Sequence, residues 1–106
     1  MKKLIVHEHA EEEELLHEVA YYETKSNQLG IELLSEVERV FQLIRAQPER
    51  WQIAKYRTRQ IHLDRFPHTI FYRDLEDIIW IVAIAPQKRR PFYWRYHTKN
   101  NPSTQQ

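Results

Sequence analysis

The second half of the chain carries a run of basic side chains: Lys55, Arg57, Arg59 and Arg65, then Arg73, then Lys88, Arg89, Arg90 and Arg95. Tyr56, Phe92, Tyr93, Trp94 and Tyr96 are interleaved with them. Cationic groups neutralise phosphates and flat rings stack on bases, so this mixture suits recognition of single-stranded RNA. A spacing of two puts Lys55, Arg57 and Arg59 on one face of an extended chain. The bland alternative is a set of solvated cations, or cations paired with acidic residues elsewhere.

The other reactive residue types point to less. His7 and His9 are two apart where a strand should give way to a helix, His62, His68 and His97 are scattered, and His17-Glu18 is followed by Val19-Ala20-Tyr21, which is no His-Glu-x-x-His. No metal site is expected. A lone imidazole can still move a proton near neutrality, and His62 and His97 are the candidates. The absence of Cys excludes disulfides, thiol nucleophiles and thiolate metal sites. One glycine, Gly30, is too few for a dinucleotide fingerprint or a phosphate-binding loop. The run Glu11 to Glu14 reads as the solvated start of a helix, where negative charge is favoured. Trp51, Trp80, Phe66 and Phe71 read as packing residues, and Asp64 and Asp74 as partners for neighbouring arginines.

Charge is divided along the chain. Met1 to Glu49 holds five basic and eleven acidic residues, a net −6; Arg50 to Gln106 holds eleven and four, a net +7. The 106 residues allow one domain, expected over 1–98, with a polar tail over 99–106. No apolar run is long enough for a membrane span and no signal-peptide core is present, so a cytoplasmic location without membrane attachment is expected.

The elements that would position these residues follow from periodicity. Leu4 to Val6 suits a strand. Leu15, Val19 and Tyr22 share one helical face, and Leu33, Val37, Val40 and Ile44 share another. Ser26-Asn27-Gln28-Leu29-Gly30 breaks the two helices apart, with Gly30 expected to supply the reversal, and Pro48 stops the second. Alternation over Arg57 to Asp64, a β-rich run over Thr69 to Arg73 and an apolar run over Ile78 to Ala85 predict three more strands. Arg90 to His97 is expected to be a short helix or irregular. The order is β-α-α-β-β-β: an α+β fold with a helix hairpin packed on a mainly antiparallel twisted sheet.

Two segments give a family resemblance. Arg59-x-x-x-Leu63-x-Arg65-Phe66-Pro67-His68-x-Ile70-x-Tyr72 and Ala83-Ile84-Ala85-Pro86-x-x-Arg89-x-Pro91-x-Tyr93-Trp94 together resemble the RelE/ParE superfamily of toxins from toxin–antitoxin modules, many of them labelled plasmid stabilisation proteins. The resemblance runs from about Leu4 to His97 and implies the same strand and helix order. It implies a cognate antitoxin as partner, no cofactor, and one of two targets: the ribosome with its mRNA, cut without metal, or DNA gyrase, inhibited without catalysis. A non-toxic relic that binds a regulator is a third possibility. For mRNA cleavage it implies Lys55, Arg65, Arg89 and Tyr93 as catalytic positions, and Arg57, Arg59, Arg73, Lys88, Arg90 and Trp94 as nucleic-acid contacts. Arginine stays protonated and makes a poor base, so Lys55, His62 or His97 would take the 2′-hydroxyl proton. Pro86 stands where relatives often carry His.

Overall fold

The structure, a computed structural model, describes residues 2–99; of the expected tail only Lys99 falls within them. β1 (Lys3–Val6) leads into a helical stretch that begins as a π-helix over Ala10–Leu16 and continues as α1 (His17–Lys25). Next come α2 (Leu29–Ala46), a 3₁₀ turn (Lys55–Arg57), β2 (Arg59–His62), β3 (His68–Asp74), β4 (Ile78–Pro86) and a second 3₁₀ segment (Tyr93–Lys99). The fold is α+β. The four strands of the described residues form one sheet in the order β1-β4-β3-β2, with β1 parallel to β4 and the other pairs antiparallel.

The helix hairpin closes differently from expectation. Gln28, not Gly30, adopts the left-handed conformation at φ 70° that reverses the chain. Gly30 lies inside α2 at the helix crossing, where an added Cβ would collide with the Val19 carbonyl. Its role is close approach. No side chain at the N-terminal cap of α2 serves the free N–H groups of its first turn. The Glu23 carboxylate of α1 does so instead, accepting from Gly30 N at 2.7 Å and Ile31 N at 3.2 Å.

The predicted stripe of α2, Leu33, Val37, Val40 and Ile44, is fully buried against Ile70, Tyr72, Ile79, Ile81 and Ile84 of the sheet. The opposite sheet face carries Phe71, Ile78, Trp80, Val82, Ala83 and Ala85, covered by Trp94 of the second 3₁₀ segment. β4 is thus buried on both faces along its whole length, as its apolar run predicted. A bulge interrupts its alternation: Phe71 pairs with Ala83 and Tyr72 with Ile81, which leaves Val82 as an extra residue. That extra residue lets Val82 and Ala83 both join the outer cluster and returns Ile84 to the helix side.

β1 reaches only as far as Ile81 of β4, after which His7 N donates to the Ile81 carbonyl. Beyond that point β4 has no strand neighbour on this side among the described residues. The π-helical segment packs there, and Glu14 accepts the Ile84 N–H at 2.7 Å. Among the described residues no helix is long and apolar enough to cross a membrane.

A candidate nucleic-acid interface

The 3₁₀ turn before β2 places the first basic residues. Lys55, Tyr56 and Arg57 are exposed, and they do not form the extended run that their spacing suggested. Tyr56 (φ 58°) and Arg57 (φ 57°) both occupy the left-handed region, which L residues other than glycine rarely adopt. Arg73 of β3 holds this turn: its Nη2 and Nε donate to the Tyr56 carbonyl at 2.7 and 3.2 Å, and Nη1 to Thr98 at 3.4 Å. Thr58 adds a hydroxyl bond to the Lys55 carbonyl at 2.7 Å. Arg73 is therefore largely a brace, although its charge stays in the patch beside Arg57.

Aromatic rings join this turn to the second 3₁₀ segment. Tyr56 lies 5.7 Å from Phe92 and 6.0 Å from Trp94, and Trp94 lies 4.4 Å from Phe71. Phe92 also has positive φ, at 57°. Lys55 Nζ sits 5.8 Å above the Phe92 ring. A cleft of about 130 Å³ opens beside this cluster, lined in part by Thr69, Phe71, Arg89, Arg90, Phe92 and Tyr93. That volume is below the roughly 300 Å³ of enclosed ligand pockets, so the cleft suits a phosphate or a partly inserted group and not a swallowed nucleotide. Arg90 is exposed at its rim.

Tyr93 is built in from below. Its ring carries the Arg89 guanidinium at 3.9 Å, a close cation–π contact. Its hydroxyl donates to Glu14 Oε2. Burial, then the bond to Glu14, push the Tyr93 hydroxyl far above the ordinary tyrosine value, so it remains a proton donor held by Glu14. Burial likewise pushes the Glu14 carboxyl upward, opposed by the hydrogen bonds from Tyr93 and Ile84. Glu14 is 2% exposed, which corrects the expectation that the whole glutamate run is solvated; Glu11, Glu12 and Glu13 are exposed. The sequence signal for Glu14 is its place in the four-residue row Ala10, Glu14, Glu18, Tyr22, which lines the edge of the buried stripe.

Of the ten expected site residues, Lys55, Arg57, Arg73, Arg89, Arg90 and the Tyr93 ring gather around the aromatic cluster. The other four stand apart from its open face. Trp94 is completely buried, so it supports the cleft and cannot stack on a nucleotide. Arg59 pairs with Tyr72 in the ladder and therefore faces the helix side, where Nη1 donates to the carbonyls of Trp51 at 2.5 Å and Glu49 at 3.2 Å. Arg65 sits in the β2–β3 turn and is bonded to Glu32 of α2 at 2.6 Å. Lys88 lies 5.6 Å above Tyr21 of α1. The three cations among them are held by partners elsewhere in the chain: backbone carbonyls for Arg59, Glu32 for Arg65 and the Tyr21 ring for Lys88. Asp64 and Asp74 do not pair with neighbouring arginines: Asp64 meets the distant Arg39 at 3.4 Å and Asp74 meets Lys2 at 2.7 Å.

Among the candidate proton carriers, His62 is exposed and belongs to the outer side of β2, opposite Thr69. Its Nδ1 lies 2.6 Å from the Thr69 hydroxyl, and among the described residues Nε2 has no hydrogen-bond partner, beside a residue that lines the cleft. His97 is instead stacked on His7. Among the described residues no group of three His, Asp or Glu side chains is arranged to hold a metal ion. No family model matches the chain, and no curated protein matches it either.

Proposed function

We propose that this protein binds single-stranded RNA on the sheet face opposite the helices, as the toxin of a RelE/ParE-like toxin–antitoxin pair that acts on ribosome-associated mRNA. The observation that carries the reading is the gathering of Lys55, Arg89 and Arg90 around the half-buried Phe92 and the exposed Tyr56, with the exposed Arg57 next to Tyr56 in the same turn and close to Arg73. In this reading Tyr56 and Phe92 stack on bases while Lys55, Arg57, Arg89 and Arg90 contact phosphates. Non-glycine residues held at positive φ cost free energy, and such outliers concentrate where a side chain must be presented. Tyr56, Arg57 and Phe92 fit that pattern.

Cleavage would follow from an in-line attack. The 2′-hydroxyl oxygen forms a bond to its own phosphorus, its proton passes to His62 Nε2, and the 5′-oxygen leaves with a proton from solvent. Lys55, Arg89 and Arg90 stabilise the charge that grows on the phosphoryl oxygens. Tyr93 positions Arg89 and does not act as the acid, since its proton is committed to Glu14. The cognate antitoxin would be an acidic segment that covers the same cations.

The test is a translating extract supplied with the purified protein. Cleavage of ribosome-bound mRNA that is lost in Arg57→Ala/Arg90→Ala, with the fold retained, supports the proposal. Intact mRNA together with gyrase trapped on cleaved DNA supports the gyrase reading. Inactivity in both assays would support a relic that binds a regulator.

A further inference from the structure

Three imidazoles meet at the end of β1. His7 and His97 stack with ring centroids 4.4 Å apart and planes inclined by 12°, and His9 lies 4.5 Å from His97 at 53°. Trp80 of β4 stands 5.8 Å from His7. The hydrogen bonds fix the protons. The His9 backbone N–H donates to His7 Nδ1 at 3.0 Å, so that nitrogen is bare and the neutral ring carries its proton on Nε2. His97 Nδ1 lies 3.3 Å from the Val82 carbonyl, which can only accept, so His97 is protonated on Nδ1 and bare on Nε2. Val82 is the bulge residue, left without a partner across the β3–β4 ladder.

Each ring can take one further proton, and each uptake damages the arrangement. A proton on His7 Nδ1 turns the acceptor for His9 N–H into an opposing donor. A proton on His97 Nε2 places a cation in the stack with His7. We propose that this imidazole stack is an acid-sensitive latch, which holds the Tyr93–Lys99 segment on the sheet while neutral and releases it when protonated.

The surroundings support a neutral latched state. Burial, and then the neighbouring His9, hold His7 below its ordinary value, with Glu8 opposing. Burial holds His97 down too, against the Val82 bond and with His7 and His9 assisting. The acidic groups nearby, which favour protonation, are Glu8, Glu12 and Glu13, which line a shallow cleft with His7 and His9, and Glu14, whose Oε2 is 3.7 Å from His9 Nδ1. β4 presents the uncharged Trp80 and Val82. On the segment itself Arg95 and Lys99 are turned to Tyr96, at 4.6 and 5.2 Å. Release would carry Trp94 out of its buried seat and uncover Phe71 and Val82. This behaviour does not depend on what the outer face binds.

The test is hydrogen exchange on the full chain, corrected for intrinsic rates, at about pH 7.5 and about pH 5.5, either side of the ordinary histidine value of 6.5. Amides of Tyr93–Lys99 should lose protection by up to about tenfold for each imidazole kept neutral by latching, while those of β3 and β4 keep theirs. His7→Asn/His97→Asn, which retains an acceptor and a donor near the two Nδ1 positions, should abolish the difference. Equal protection of the wild-type segment at both pH values would overturn the latch. So would parallel loss throughout the sheet, or an unchanged acid response in the double variant. Should the double variant fail to fold, the wild-type comparison alone decides, and His97→Asn supplies the second arm.

Discussion

Replacing Glu14 with alanine tests the central coupling of this fold. The carboxylate accepts the N–H of Ile84, which is 1% exposed, and the half-buried hydroxyl of Tyr93. In Glu14→Ala the Ile84 N–H loses its partner where water cannot replace it, at about 1–3 kcal/mol, and the tyrosine hydroxyl loses about 1 kcal/mol more. Removing a buried carboxyl recovers part of this, because burial disfavours its ionised form. The net expectation is a loss of about 2 kcal/mol, or about 8 °C in Tm for a chain of this size. Glu11→Ala and Glu13→Ala, on exposed sites of the same run, should stay within about 0.5 kcal/mol. Chemical denaturation followed by far-UV circular dichroism would measure all three. Glu14→Gln keeps an oxygen for Ile84 and adds a sign test. The wild-type carboxyl titrates above its ordinary 4.5 in the folded state, so its contribution is complete below 4.5 and declines as pH climbs through the raised value. The stability of Glu14→Gln relative to wild type should therefore improve over that rise. If Glu14→Ala matches the exposed-site variants, or if the wild-type and Gln curves run parallel with pH, the coupling described here is wrong.

Gly30→Ala should destabilise the hairpin by about 2 kcal/mol, because the new Cβ meets the rigid Val19 carbonyl, and thermal melting would show it. Arg57→Gly should separate stability from binding: relief of the positive φ adds about 1 kcal/mol to folding, while RNA affinity falls. Denaturation and filter binding on the same preparation would check both, and a rise or no change in affinity would remove Arg57 from the interface. Arg90→Ala should weaken binding and lower the salt slope by about 1, whereas Arg65→Ala, at a residue paired with Glu32, should change neither.

The legible part of the fold was what periodicity controls. The α2 stripe, the fully apolar β4 and the β-α-α-β-β-β order all follow from where apolar residues recur, and burial enforces them. What stayed hidden depends on contacts between residues far apart in the chain. Arg59 and Arg73 look equivalent as sequence, yet ladder parity sends Arg59 to backbone carbonyls on the helix side and Arg73 to the Tyr56 turn. The β4 bulge leaves no mark in an unbroken apolar run. The left-handed Tyr56 and Arg57 are bulky residues with no turn signature. Where the strand begins between Lys55 and Arg59 stayed open, because alternation alone cannot show that a 3₁₀ turn intervenes. The aromatic side of the site was partly visible, since Tyr56 and Phe92 lie among the cations, but only the packing distinguishes them from the buried Trp94.

The parallel pairing of β1 with β4 also governs the order of assembly. Lys3 pairs with Ile78, seventy-five positions later, so the first strand closes a loop that spans most of the chain. The β3–β4 hairpin and the two helices can form from local contacts, but β1 has no partner until β4 has been made. The Tyr93–Lys99 segment, which completes the aromatic cleft, lies later still. During synthesis the acidic half therefore precedes every cation of the proposed interface, and a nascent chain has no intact binding face until the Tyr93–Lys99 segment docks.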